Sequence, residues 1–260
     1  MQTRNTTPRS WTTFALLYVL VVAIQCGTWF VLYRFAGYNN TTMTIATASH
    51  LVVGLITVAA LKLGWARIGL GLGELLRAVV IVVAAHALFL LLGLLLNQFG
   101  TQLKLFRDTY RVDAFLNNWV LTGLGEELIF AGVLFTLLRA QPVGRKSWLA
   151  VLLVALLFAL WHLPAHIAIA LSTGNWSIGI VFDLLLNVVS WCFFGAIYLF
   201  SRNLWLTAMA HASTDYALLP MTINNPAIGL LFMCALVACA YFLGRRASPH
   251  QPGVLAESAT

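Results

Sequence analysis

The chain has 260 residues, of which 61% are hydrophobic and only 9% charged, with a mean hydropathy of +0.89. A soluble domain of this size averages about 45–50% apolar and about 25% charged residues, so the composition excludes a soluble globule and specifies an integral membrane protein. The formal net charge of +7 does not point to nucleic acid, because the basic residues sit in short gaps between apolar runs and form no patch interleaved with aromatics.

Runs of about 20 mainly apolar residues, the length a membrane helix needs, recur over 11–32, 43–61, 75–96, 115–138, 148–171, 178–200, 203–219 and 227–243. None alternates with period two, as membrane strands would. The expected fold is therefore all-α, a polytopic transmembrane helical bundle of about eight spans. The first run follows Arg4 and Arg9. It is too long for a signal-peptide core and lacks an A-x-A-like end, so it reads as an uncleaved anchor. Turn residues fill the gaps: Gly37-Tyr38-Asn39-Asn40, Gln141-Pro142-Val143-Gly144, Ser172-Thr173-Gly174-Asn175 and Asn224-Asn225-Pro226. Polar tails at 1–10 and 244–260 are expected to flank a single helical domain, 11–243.

Orientation follows from Lys and Arg. With the N-terminus in the cytoplasm, Arg4, Arg9, Lys62, Arg67, Arg77, Arg139, Arg145, Lys146, Arg202, Arg245 and Arg246 are cytoplasmic. Only Arg34, Lys104, Arg107 and Arg111 lie opposite. This places both termini, and both tails, in the cytoplasm. The 98–113 loop is the exception and reads as an interfacial amphipathic piece. Cys26, Cys192, Cys234 and Cys239 lie in apolar runs without a CxxC pair and read as small buried hydrophobes. Trp11, Trp119, Trp148 and Trp205 fall near span ends, where aromatic belts sit.

Four of the eight acidic residues, Glu126, Glu127, Asp183 and Asp215, fall within predicted spans. A charge at bilayer depth costs about 2.5–3.5 kcal/mol on insertion scales. Such groups mark function, or they hydrogen-bond neighbouring helices together. Asp183, four residues from Asn187, reads as the second kind. The Glu126/Glu127 pair reads as the first. Consecutive helical residues point about 100° apart, so one glutamate is expected to enter a site and the other to support it. Two carboxylates this close in low dielectric do not both ionise freely. That suits one of them to take and return a proton near neutral pH.

Gly123 and Gly125 precede the pair and read as tight helix packing. His162 and His166 share a helix face at a spacing that can hold a metal, with a kink expected from Pro164 between them. His166 lies nearer the span's outer end and is the weaker candidate. His211 and Asp215, four apart, also share a face, and a carboxylate commonly orients an imidazole. His50 and His86 have no acidic neighbour at helical spacing and read as structural.

Glu126-Glu127-Leu-Ile-Phe130-Ala131-Gly132, then Phe158-x-x-x-His162, then His211-x-x-x-Asp215, lie in that order on three apolar helices. They resemble the CAAX protease and bacteriocin-processing (Abi) family of intramembrane proteases, whose motifs are EExxxR, FxxxH and HxxxN or HxxxD. The stretch from Gly195-Ala-Ile-Tyr198 to Asn203-Leu204-Trp205 is similar too, and the resemblance covers about 115–220. It implies a glutamate-dependent endopeptidase with Glu126, Glu127, His162, His211 and Asp215 as catalytic residues, Glu126 acting as general base or exchanging that role with Glu127.

Two versions follow from the resemblance. In one, His162 and His211, with Glu126, hold a divalent metal such as zinc that activates water. In the other there is no metal and His211 stabilises the oxyanion. The implied partners are membrane lipid and a membrane-associated peptide or protein. Eukaryotic relatives cut a prenylated C-terminus, and this plain chain fits a bacterial relative in the cytoplasmic membrane. One departure stands out: Ala131 occupies the motif's arginine position, and the same helix has no Lys or Arg before Arg139. Asp215 also changes the chemistry, since Asn can donate to an oxyanion and an ionised Asp cannot. The alternatives are a non-proteolytic scaffold or bacteriocin-immunity protein of the same fold, and a proton-relay transporter. The transporter would favour an internal inverted repeat, and none is found.

Overall fold

The structure is a computed structural model that describes residues 11–37, 39–97, 103–105, 110–141, 147–174, 176–218, 221–223 and 226–247. Most of the proposed interfacial loop, the tails 1–10 and 248–260, and the turn residues Tyr38, Pro142, Val143, Gly144, Asn175, Asn224 and Asn225 lie outside the described residues. So do the basic residues Arg4, Arg9, Arg107, Arg145 and Lys146.

Among the described residues the fold is a bundle of helices: α1 (Trp11–Ala36), α2 (Asn40–Ala60), α3 (Leu72–Asn97), α4 (Val112–Arg139), α5 (Ser147–Thr173), α6 (Gly179–Ser201), α7 (Leu204–Asp215) and α8 (Pro226–Ala247). Seven of them are long and apolar enough to cross a membrane. Their outward faces carry exposed Leu16, Val52, Val80, Leu91, Leu156 and Leu186, while Glu126, Glu127 and His211 are buried. Apolar outside and charged inside is the polarity a bilayer imposes. The chain is an integral membrane protein with an all-α fold.

The eighth run differs from expectation. α7 has 12 residues, about 18 Å of helix, too short for a hydrocarbon core of about 30 Å. It ends because Ser213 and Thr214 donate to the carbonyls of Met209 and His211 and Tyr216 turns to an extended backbone. Short hydroxyl side chains compete with the helix in this way. The chain then runs on to β2 (Met221–Ile223), which pairs antiparallel with β1 (Leu103–Leu105) beyond the end of α3. α7 begins at the other end of α3, where Asn203 caps it through Leu206 N and donates from Nδ2 to the Glu74 carbonyl at 2.8 Å.

α4 is the central helix. Its apolar window is 72% buried, against 17% for α1 and α3. It is not a uniform α-helix: wide π-type turns over 117–122 and 128–135 flank a regular stretch, Gly123–Glu127. Such turns are rare and recur at functional sites. Two glycines set how closely its neighbours approach. A Cβ on Gly123 would lie 2.8 Å from the Ala208 carbonyl oxygen on α7, and one on Gly125 would lie 2.8 Å from Leu51 N on α2. The tight packing expected of these glycines is thus assigned to particular helices: α7 docks on Gly123 and α2 on Gly125.

Two smaller expectations change. Asp183, five residues into α6, is exposed and not buried between helices. Cys26 and Cys192 are half-buried and Cys234 and Cys239 exposed, so the cysteines are not fully buried.

Candidate active site

The glycines of α4 place the two glutamates that follow them between three helices. Glu127 is fully buried, and its Oε1 accepts from His211 Nδ1 on α7 at 2.9 Å. Glu126, 5% exposed, extends into a cluster of imidazoles. Its Oε2 lies 3.9 Å from His162 Nε2 on α5 and 3.8 Å from His211 Nε2. Its Oε1 lies 3.6 Å from His50 Nδ1 on α2. Adjacent residues thus meet a single imidazole, His211, from its two nitrogens: Glu127 supports the ring and Glu126 faces it, the division of roles expected from their helical directions.

The hydrogen bonds fix what each ring presents. His162 Nδ1 donates to the Phe158 carbonyl at 2.9 Å, and His211 Nδ1 donates to Glu127. In the neutral tautomer His162 Nε2 then offers a lone pair toward Glu126 Oε2, while His211 Nε2 lies between the Glu126 and Asp215 carboxylates. Glu126 Oε2 is itself buried without a hydrogen-bond partner. The facing acceptors, His162 Nε2 and Glu126 Oε2, call for a donor between them. Separations of this length are those one shared water spans.

Aromatic rings wall the cluster. Phe194 stacks on His211, with centroids 4.6 Å apart and planes at 16°. Phe158 meets His162 at 4.5 Å and His211 at 5.8 Å, and Phe130 packs edge-on to Phe158 at 4.9 Å. The phenylalanines of the first two motifs therefore close the site against lipid. α5 runs through Pro164 without ending.

Asp215 ends α7, with its side chain 33% exposed and its Oδ2 3.5 Å from His211 Nε2. Glu127 makes the hydrogen bond to His211 at Nδ1, and Asp215 stands near the ring's other nitrogen at the mouth of the cluster. His166, one turn beyond His162, is half-buried and outside this group. His86 is buried, bonded to the Val82 carbonyl and packed on Phe232, as expected of a structural histidine.

His50 differs from its sequence reading. It is 4% exposed, faces Glu126, and its Nε2 lies 2.5 Å from Oε1 of Gln25 on α1, itself 2% exposed. No acidic residue stands at helical spacing from His50, so periodicity within α2 could not reveal the contact. The available signal was that two polar residues in separate apolar spans must satisfy each other or a third group.

A cavity of about 430 Å³ between α3, α6 and α8 is lined by Phe194, which stacks on His211, by Ser213 and Thr214, and by Phe89, Leu186 and Met233, but by none of the clustered carboxylates or imidazoles. A second cavity, about 590 Å³, lies between α6 and α8 and is lined by none of the clustered residues.

The donor types around Glu126 are those zinc accepts, but tetrahedral zinc brings its donors to about 3.3 Å of one another. The separations here are 3.8 and 3.9 Å. Among the described residues no group of three or more His, Cys, Asp and Glu side chains is placed to hold a metal. As arranged, the cluster does not fit one.

A family model described as Rce1-like, type II CAAX prenyl endopeptidase Rce1-like, matches residues 110–217. No curated protein matches the chain. The matched segment contains the glutamate pair, the two motif histidines that face Glu126, and Asp215. Over residues 110–217, which carry the whole cluster around Glu126 except His50, the chain is similar to the Rce1-like type II CAAX prenyl endopeptidases.

Proposed function

We propose that the protein is an intramembrane endopeptidase that hydrolyses a membrane-associated peptide or protein with water activated by Glu126. The observation that carries this reading is the convergence of two imidazole Nε2 atoms on one unpartnered, buried oxygen of Glu126. His162 Nε2 and Glu126 Oε2 hold the water between them, and Glu126 takes its proton as the oxygen adds to the peptide carbonyl. His211, braced by Glu127 at Nδ1 and by Asp215 near Nε2, carries a proton and donates it as a hydrogen bond to the oxyanion. Glu126 then returns its proton to the leaving amine. Proton and charge balance without a further reagent. No step runs through a metal. Elemental analysis of the purified protein, with and without His162, separates this version from the zinc version, which requires near-stoichiometric metal lost with His162→Ala.

The cavity beside Phe194 takes the substrate's apolar portion, and the family's description points to a prenylated C-terminus as the group to try first. The positive-inside count supports cytoplasmic termini. The test uses purified chain in liposomes with a lipid-anchored peptide, cleavage being read by mass spectrometry. Glu126→Gln is expected to lower kcat/KM by about 100- to 10,000-fold. A wild-type chain that cleaves nothing, or a Glu126→Gln variant as active as wild type, overturns the reading. In that event, partner binding retained in the variant identifies a scaffold.

A further inference from the structure

The carboxylate of Glu126 has two oxygens, and the motif histidines address only one. His162 and His211 face Oε2. Oε1 faces His50, on a helix outside the matched segment. We propose that His50, held by Gln25, is a positioning residue that fixes the direction of the Glu126 carboxylate, so that Oε2 points at the two motif imidazoles. The proposal rests on the reading of Glu126 as the general base.

Three features of the structure support it. The first is restraint of the ring. His50 Nε2 is hydrogen-bonded to the Gln25 side-chain amide at 2.5 Å, and the ring meets Trp161 edge-on at 4.5 Å. Both partners are almost wholly buried, so neither hydrogen bond nor stacking is lost to solvent. With Nε2 engaged by the amide, Nδ1 is the atom left for Glu126, and it holds that carboxylate as an N–H donor. The second is that this Nδ1 is buried and has no other hydrogen-bond partner. A buried polar atom is costly unless paired, and the 3.6 Å to Glu126 Oε1 needs to shorten by only a few tenths of an ångström. Catalytic hydrogen bonds are commonly long before substrate binds and tighten in the complex. The third is the backbone. Gly125 and Gly54 allow α2 and α4 to touch main chain to main chain, since a Cβ on Gly125 would fall 2.8 Å from Leu51 N and one on Gly54 3.4 Å from the Gly125 carbonyl oxygen. That close approach brings His50 within reach of a residue on α4.

Positioning matters energetically because a catalytic group displaced by about 1 Å loses roughly 100-fold in rate. A glutamate held only at Oε2 can rotate about its last side-chain torsion, which is broad and weakly restrained by itself. His50 removes that freedom without touching substrate.

The test separates the two nitrogens. Asn at position 50 places a polar atom where Nδ1 stands, and Gln places one where Nε2 stands. His50→Asn is therefore expected to keep activity within about threefold of wild type, whereas His50→Gln and His50→Ala lose about 10- to 100-fold in kcat with KM nearly unchanged. Gln25→Leu falls between them. The infrared carboxyl stretch of Glu126, identified as the band lost in Glu126→Gln, should shift in His50→Gln and stay in place in His50→Asn. Thermal unfolding in detergent checks that each variant is folded. If His50→Gln does not fold, Gln25→Leu and the band position in His50→Asn carry the same test. Equal kcat in all variants, or the reverse order with Gln above Asn, overturns the proposal. If the wild-type chain proves inactive on peptides, the protease reading fails, and the band alone still decides whether His50 holds Glu126.

Discussion

Ala131 stands where the family motif has arginine, and it is wholly buried in the core of α4. A guanidinium there would need volume that this packing does not provide. Overpacking a close-packed core costs about 1–3 kcal/mol. Ala131→Arg is therefore expected to lower the thermal midpoint and to give no gain in peptide cleavage. A large rise in activity would show that this chain is impaired by the loss and would contradict the account. Residue identity was the most legible part of the site. Glu126, Glu127, His162 and His211 could be named because each is expensive at bilayer depth. Their pairing was less legible. Helical spacing matched Asp215 to His211 but gave no sign of Glu127, which bonds the ring at 2.9 Å. A contact between helices carries no periodic signal, and the same blindness hid His50.

At the scale of elements, the stretch Gly123-Leu-Gly125-Glu-Glu127 combines two docking surfaces with two carboxylates. Gly123 admits α7 and so brings in His211. Gly125 admits α2 and so brings in His50. Gly123→Val and Gly125→Val are expected to push those helices apart, lowering activity by more than about tenfold and reducing stability by the 1–3 kcal/mol of an overpacked core. Gly73→Ala is the control, since a Cβ there meets nothing within 4 Å. Full activity in Gly125→Val would contradict the packing account. Seven helix positions were legible because bilayer thickness sets their length. α7 was not. Its apolar run extends to 219, but Ser213, Thr214 and Asp215 end the helix early and leave the cluster open at Asp215.

For the whole molecule, polarity is inverted relative to a soluble protein: exposed aliphatics outside, carboxylates and imidazoles within. The fold class followed from composition alone, because only helices and closed barrels satisfy the backbone in lipid. The arrangement of helices around α4 did not, since eight apolar runs permit many packings and only the coordinates choose one. The claim on which all else depends is that α4, α5 and α7 join their polar groups into one catalytic unit. Groups that act as a unit give strongly non-additive losses. The direct measurement is kcat/KM for peptide cleavage by the purified chain, by Glu126→Gln, by His211→Asn and by the double variant. The account predicts that the double variant is no worse than the poorer single variant to within about threefold. Losses that multiply would mean that the two residues work apart, and would contradict it.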